Sequence, residues 1–243
     1  MKIIMTSLVL AGLSSSVFAA NPKPSSSTLT SALEVLSLPL ENRRMVVRDQ
    51  SEKFYSTFVG LAFNEKQPMS LRWKALMAVA DAKGEKATND LLRAGNHSLW
   101  FMRNGALVAL KEVNPAAGAE LAQKLVKDKA LVVRTAAVDL LENDKSPEVR
   151  ELLWSELNQN YNFKNKQSLW IRSKIVQALA KAPADKELKT FAALLSDSDR
   201  RLHVPAVRGL EKLTGVQLGE GKVNQAKLVQ LWKDYLKKEQ VEF

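Results

Sequence analysis

The chain has 243 residues, 46% of them apolar and 26% charged, with a formal net charge of +10. That balance excludes a disordered or fibrous chain, and the complete lack of cysteine excludes disulfide chemistry, thiol nucleophiles and cysteine metal sites. The basic excess points either to an anionic partner or simply to solubility, since Lys and Arg are spread along the chain without a dense run.

The first residues differ from the rest. Lys2 is a short positive start, Ile3 to Leu13 is mostly apolar, Ser14-Ser15-Ser16 is small and polar, and Val17-Phe18-Ala19 fits a signal-peptidase site. Residues 1–19 are therefore expected to be a cleaved export signal, with the rest of the chain in a bacterial periplasm. The apolar run is shorter than the roughly 20 residues a membrane helix needs. Residues 20–28, with Pro22, Pro24 and Ser25-Ser26-Ser27, read as a flexible linker. A short amphipathic helix is expected over Leu29–Leu36, and Pro39 can open the next one at its first turn. Arg43 and Arg44 in that helix suggest a divergent first repeat.

From there a phrase recurs, an apolar residue followed by a basic one: Leu71-Arg72, Met102-Arg103, Val133-Arg134, Ile171-Arg172 and Leu202-His203, at steps of 31, 31, 38 and 31. A near-constant period of this size predicts stacked helical hairpins. First helices are expected near Glu52–Phe63, Glu85–Arg93, Ala116–Lys127, Pro147–Asn158 and Ala184–Leu195. Second helices are expected near Ser70–Ala82, Leu99–Val113, Leu131–Leu141, Leu169–Lys181 and Arg201–Leu213. Asn96, Ser146 and Ser198 or Asp199 are N-cap candidates. No stretch alternates with period two, so no strand is expected. Counting from the basic residue, the positions one before and three, four and seven after form one apolar stripe at helical spacing. Ala75, Ala106, Ala137 and Ala206 occupy the third position, where a small side chain lets helices approach closely. A last helix within residues 222–240 carries Trp232, Tyr235 and Leu236, suited to cover the open end of the core.

The phrase Val133-Arg134-x-x-Ala137-Val138-x-x-Leu141 and its copies resemble the HEAT-repeat family, in the short form also seen in phycobilisome-lyase-type repeats. The resemblance covers about Pro39 to Leu213. It implies an all-α, right-handed α-solenoid of about five to six hairpins in one domain over residues 29–243, with the second helices lining the concave side. It also implies that Arg72, Arg103, Arg134, Arg172 and His203 form a structural ladder between repeats, with Asp128 and Asp199 as candidate partners.

Chemistry is sparse. His97 and His203 lie in different repeats, with no acidic or histidine neighbour at ligand spacing, so no metal site and no cofactor are expected. Gly215 to Gly221 has no preceding strand and reads as a plain loop. Asp139 and Glu142 read as a surface pair, and Asp197 and Asp199 as turn and cap residues. No catalytic residue is assigned, and the chain is expected not to be an enzyme.

The face left over on the second helices lies two before and one, five and eight after each basic residue. It carries Trp73, Met77, Phe101, Asn104, Val108, Val132 and Trp170, which is apolar for a wet surface. Two readings stand: a groove that binds a protein or peptide, or core covered by neighbouring helices. The extra length in the 38-residue step lies at residues 158–167, where Tyr161 and Phe163 either meet a partner or pack back on the array. A rival reading is a basic surface for nucleic acid or an anionic envelope polymer.

Overall fold

The computed structural model describes residues 25–219 and 223–241. The expected export signal and the start of the linker lie outside these residues. Thirteen α-helices run through the described part: α1 (Ser26–Ser37), α2 (Leu40–Asp49), α3 (Ser51–Phe63), α4 (Met69–Lys83), α5 (Thr88–Gly95), α6 (Trp100–Val113) and α7 (Pro115–Leu125), followed by α8 (Leu131–Leu141), α9 (Pro147–Leu157), α10 (Trp170–Leu179), α11 (Leu188–Leu194), α12 (His203–Thr214) and α13 (Gln225–Lys238). Short 3-10 turns at Gly84–Ala87, Asp185–Glu187 and Arg200–Leu202 lead into α5, α11 and α12.

The helices pair in sequence, α3 with α4, α5 with α6, α7 with α8, α9 with α10 and α11 with α12. The second members also pack on one another in unbroken order, α4, α6, α8, α10, α12. Each pair is one hairpin, set off from the next by breaks that stop and restart the backbone. Asn114 accepts from Ala117 N at 3.1 Å ahead of Pro115, and Ser146 accepts from Val149 N at 3.4 Å ahead of Pro147. Gly84 (φ +52°) and Gly215 (φ +72°) end α4 and α12 in conformations that other residues resist.

The apolar stripe is the core. Ala75, Ala106, Ala137, Ile175 and Ala206 are completely covered, as are Val79, Leu110, Leu141, Leu179 and Leu210. Burying each large aliphatic side chain contributes about 1.5–3 kcal/mol. At the far end α13 packs on α12, and Trp232, which meets Tyr235 edge-on at 5.5 Å, closes the core as the sequence suggests.

Four expectations need correction. Residues 25–28 are not linker: Ser25 caps α1, accepting from Thr28 N at 3.2 Å. Asn96 is not an N-cap; its amide donates to Leu92 O at 2.9 Å and closes α5. Residues 158–167 do contain strands, because a two-residue antiparallel hairpin pairs Phe163 with Ser168 and Lys164 with Gln167. Its turn residues, Asn165 and Lys166, both have positive φ (52° and 62°), the geometry that matches strand twist. Finally, α2 is not in phase with the repeats. Arg44 reaches Asp81 and Glu112, each at 3.4 Å, near the C-terminal ends of α4 and α6, whereas the repeat arginines lie in first turns. Only Gln50 separates α2 from α3, so no loop is left to set α2 in register.

Close packing has one sharp test. A Cβ on Gly209 would lie 2.7 Å from the Phe191 ring, which is fully buried and held edge-on by Trp154 at 5.1 Å. Gly209→Ala should therefore destabilise the chain by about 1–3 kcal/mol in urea unfolding. An unchanged midpoint would mean that the α11–α12 seam is loose.

Candidate binding site

The site begins with what holds its wall. Arg103 forks onto Asp128, Nε to Oδ2 at 2.6 Å and Nη2 to Oδ1 at 2.8 Å. Asp128 stands six residues before Arg134, and its backbone carbonyl accepts from Arg134 Nη1 at 2.7 Å. One loop residue thus binds the arginine of the repeat before it and the arginine of its own repeat. Asp197 repeats the arrangement: its carboxylate takes Arg172 Nη2 at 2.7 Å, and its carbonyl lies 2.9 Å from His203 Nε2. Asp197, not Asp199, is the ladder partner, because it is the residue six before His203. Asp199 holds Arg201 instead, at 2.8 Å and 3.0 Å.

The same position holds His97 in the first seam. Its carbonyl accepts from Arg103 at 2.8 Å, while its Nε2 lies 3.4 Å from Arg72 Nη2. His97 Nδ1 accepts from Leu99 N at 3.1 Å, so the neutral ring carries its proton on Nε2 and cannot accept from Arg72. This rung is a contact only, and Arg72 relies on Ala62 O at 2.9 Å and on the Phe101 ring, 5.2 Å away.

In the long step, Asn162 replaces the aspartate. Fully buried, it accepts from Arg134 Nε at 3.1 Å and donates to Glu156 O at 2.7 Å. Tyr161 adds its carbonyl to Arg134 at 2.9 Å and lays its ring 5.0 Å from the guanidinium. Its hydroxyl donates to Glu156; burial and that bond push the Tyr161 pKa up to about 12. Phe163 covers Arg172 at 4.8 Å. Phe163 therefore packs back on the ladder, Tyr161 lays one face on it while staying 41% exposed, and α9 is not extended.

Beside the ladder runs a second seam between second helices. Asn104 Nδ2 donates to Val132 O at 3.2 Å, Trp170 Nε1 to Thr135 Oγ1 at 3.1 Å, and Ser173 Oγ to Arg201 O at 3.2 Å. Asp139 and Glu142 are drawn apart by separate ion pairs to Lys174 and Lys181, at 3.1 Å and 2.8 Å. They tie α8 to α10.

These bonds sort the expected face. Phe101 is 6% exposed and Asn104 8%, so both are removed from a binding role: the first lies against Arg72 and the second bonds across the seam. The aromatic open to solvent there is Trp100, one residue earlier, at 43%. Trp73 and Met77 are half-buried, Trp73 lying over Gly105. Val108, Val132 and Trp170 are exposed, at 40%, 40% and 51%. Trp73, Met77 and Val108 share a depression of about 270 Å³ with Arg43 and Arg44 of α2. Toward α12 the face turns polar, in a depression of about 400 Å³ that includes Gln177, Lys181, Arg208 and Lys212.

Sequence reasoning missed one buried cluster. Arg150 of α9 bonds Glu187 through Nε at 2.8 Å and through Nη2, and Glu187 also accepts from Trp154 Nε1 and Ala184 N, each at 2.9 Å. An arginine on an otherwise apolar helix stripe was the available signal.

The sequence matches no protein-family model and no curated protein. Among solved structures it is similar to the crystal structure of an engineered protein, a Northeast Structural Genomics Consortium target, at 15% identity and a TM-score of 0.43, covering 79% of this chain and 98% of that one. The helical repeat is established by the chain's own packing of hairpin on hairpin.

Burial alone would raise the carboxyls of Asp128, Asp197 and Glu187. Hydrogen bonds from Arg103, Arg172 and Arg150, with backbone N–H groups, outweigh it and hold all three below their ordinary values. Their ionised forms thus contribute stability that is complete above the unfolded carboxylate values of about 4 and lost as pH falls through the lower folded ones. The urea midpoint should hold from about pH 7 to 5 and fall below about pH 4, with a shallower fall in Asp128→Asn. A midpoint independent of pH down to about 3 would remove the ladder's electrostatic role.

Proposed function

We propose that the chain is an exported, non-enzymatic scaffold of HEAT-like repeats that binds a protein or extended peptide along the free face of its second helices. The observation that carries this reading is the row Val108, Val132 and Trp170, left exposed on a face whose polar groups are already bonded to one another. Val132 and Trp170 share the position two before the repeat arginine, and Val108 lies five after Arg103, so the exposed apolar side chains run obliquely over three successive second helices, which suits a ligand that crosses them.

Curvature supports the same face. The second helices pack together in unbroken sequence, whereas beyond α3 the first helices meet one another only weakly, at α5 and α7. The more tightly packed layer of a bent stack is the inner one, which supports the reading that the row lies on the concave side. Export rests on the pattern of residues 1–19. No helix among the described residues is long and apolar enough to cross a membrane. The nucleic-acid reading draws less support, because Arg72, Arg103, Arg134 and Arg172 are each 7% exposed or less and bonded inside the ladder, away from any phosphate.

Trp170 is the anchor to test. Peptides selected from a random display library against the full chain should bind at least tenfold more weakly to Trp170→Ala, matching the loss of about 2 kcal/mol expected of a central aromatic. The helical circular dichroism signal should stay unchanged, because half of the ring is already in water. Undiminished binding to Trp170→Ala and to Val132→Ser would contradict the proposal.

A further inference from the structure

The depression between α2, α4 and α6 holds a cation without a bonded partner among the described residues. Arg43 is 8% exposed, and its Nε is buried without a hydrogen-bond partner. Among the described residues its guanidinium has no hydrogen bond and no ion pair within 4 Å. The nearby acids are already engaged: Arg44 lies 3.4 Å from both Asp81 and Glu112, and Arg48 3.9 Å from Asp81. Asp81 and Glu112 also line the hollow; burial raises the Asp81 pKa, and Arg44, Arg48 and, least, Arg43 oppose that rise, so Arg43 acts on Asp81 only at a distance, without a bond. The ladder offers Arg43 nothing either, since the residue six before Arg72 is Lys66, a cation. A buried guanidinium N–H without an acceptor is unfavourable, and an incoming anion would supply both the acceptor and the opposite charge.

Arg43 lines the same hollow of about 270 Å³ as Trp73, Met77 and Val108. A charged group beside an apolar wall suits a ligand with a carboxylate next to an aliphatic side chain, held by charge-assisted hydrogen bonds from the fork. We propose that this hollow binds the C-terminal carboxylate of a peptide, with the last apolar side chain against Trp73, Met77 and Val108. A chain end fits better than an acidic side chain within a running segment, because α2, packed on α4, is the last helix at this end of the second-helix layer, where a strand following the face runs out of surface. The inference rests on the concave-face reading and fixes one end of the ligand.

The test uses acetyl-Leu-Ala-Leu with a free carboxylate, the same peptide as its C-terminal amide, and acetyl-Leu-Glu-Leu amide, each titrated into the full chain and followed by the Trp73 indole resonance. The acid should bind at least tenfold tighter than either amide. In Arg43→Met the acid should fall to the affinity of the plain amide. Val108→Glu, a change at an exposed position, should do the same by setting a fixed carboxylate in the hollow. Equal affinity of the acid and its amide would overturn the carboxylate assignment while leaving the apolar face standing. A tight-binding acetyl-Leu-Glu-Leu amide would overturn the chain-end assignment. No shift at Trp73 with any peptide would overturn the site altogether, and Trp170→Ala separately decides the face.

Discussion

An arginine buried in a helical stack needs acceptors for its donors, and at the seams of Arg103, Arg134 and Arg172 this requirement sets the spacing of the chain. Each second helix places its basic residue in the first turn, beside the apolar stripe, and the four arginines there are buried. The guanidinium then needs a partner from the next hairpin, delivered by a loop of the right length. Asp128 and Asp197 meet this need twice over, with the carboxylate facing back along the stack and the backbone carbonyl facing forward. Leaving such a charge unmatched costs about 3–5 kcal/mol, so loop length and residue type at that position are constrained together.

The long step shows the constraint at work. Seven added residues would carry an aspartate out of reach, and the chain instead folds a turn that brings Asn162 to the same guanidinium. The hairpin behind it keeps Phe163 over Arg172. The insertion therefore serves packing between repeats, and the binding role shifts to side chains next to the ladder. There the polar groups bond across the seams, and what remains open is apolar near α6 and α8 and cationic near α12.

Much of the fold was legible because helical periodicity leaves a stripe that only burial explains: the five covered alanine or isoleucine positions and the matching Val and Leu positions follow from spacing alone. The ladder was half legible. Asp128 was readable, and Asp197 was readable by the same six-residue offset, yet Asp199 has equal chemistry and stands only two residues away. The hairpin was not legible, since two-residue strands are too short for alternation and Asn165-Lys166 does not advertise positive φ as glycine does. Phe101 and Trp100 could not be separated by sequence, because adjacent aromatics at a helix start exchange roles with a small change in helix phase. The Arg150–Glu187 pair joins residues 37 apart, outside the repeat's own period, and only three-dimensional packing reveals it.

The central claim is that the recurring basic residue binds its neighbouring repeat rather than a partner. A double-mutant cycle on Arg103 and Asp128 measures this most directly, with Arg103→Met, Asp128→Ala and the pair compared by urea unfolding. The account predicts that the single changes are non-additive by about 2–3 kcal/mol, the double variant being far more stable than their sum implies. Changes that add to within about 0.5 kcal/mol would contradict it and return the arginine row to the surface as a binding element.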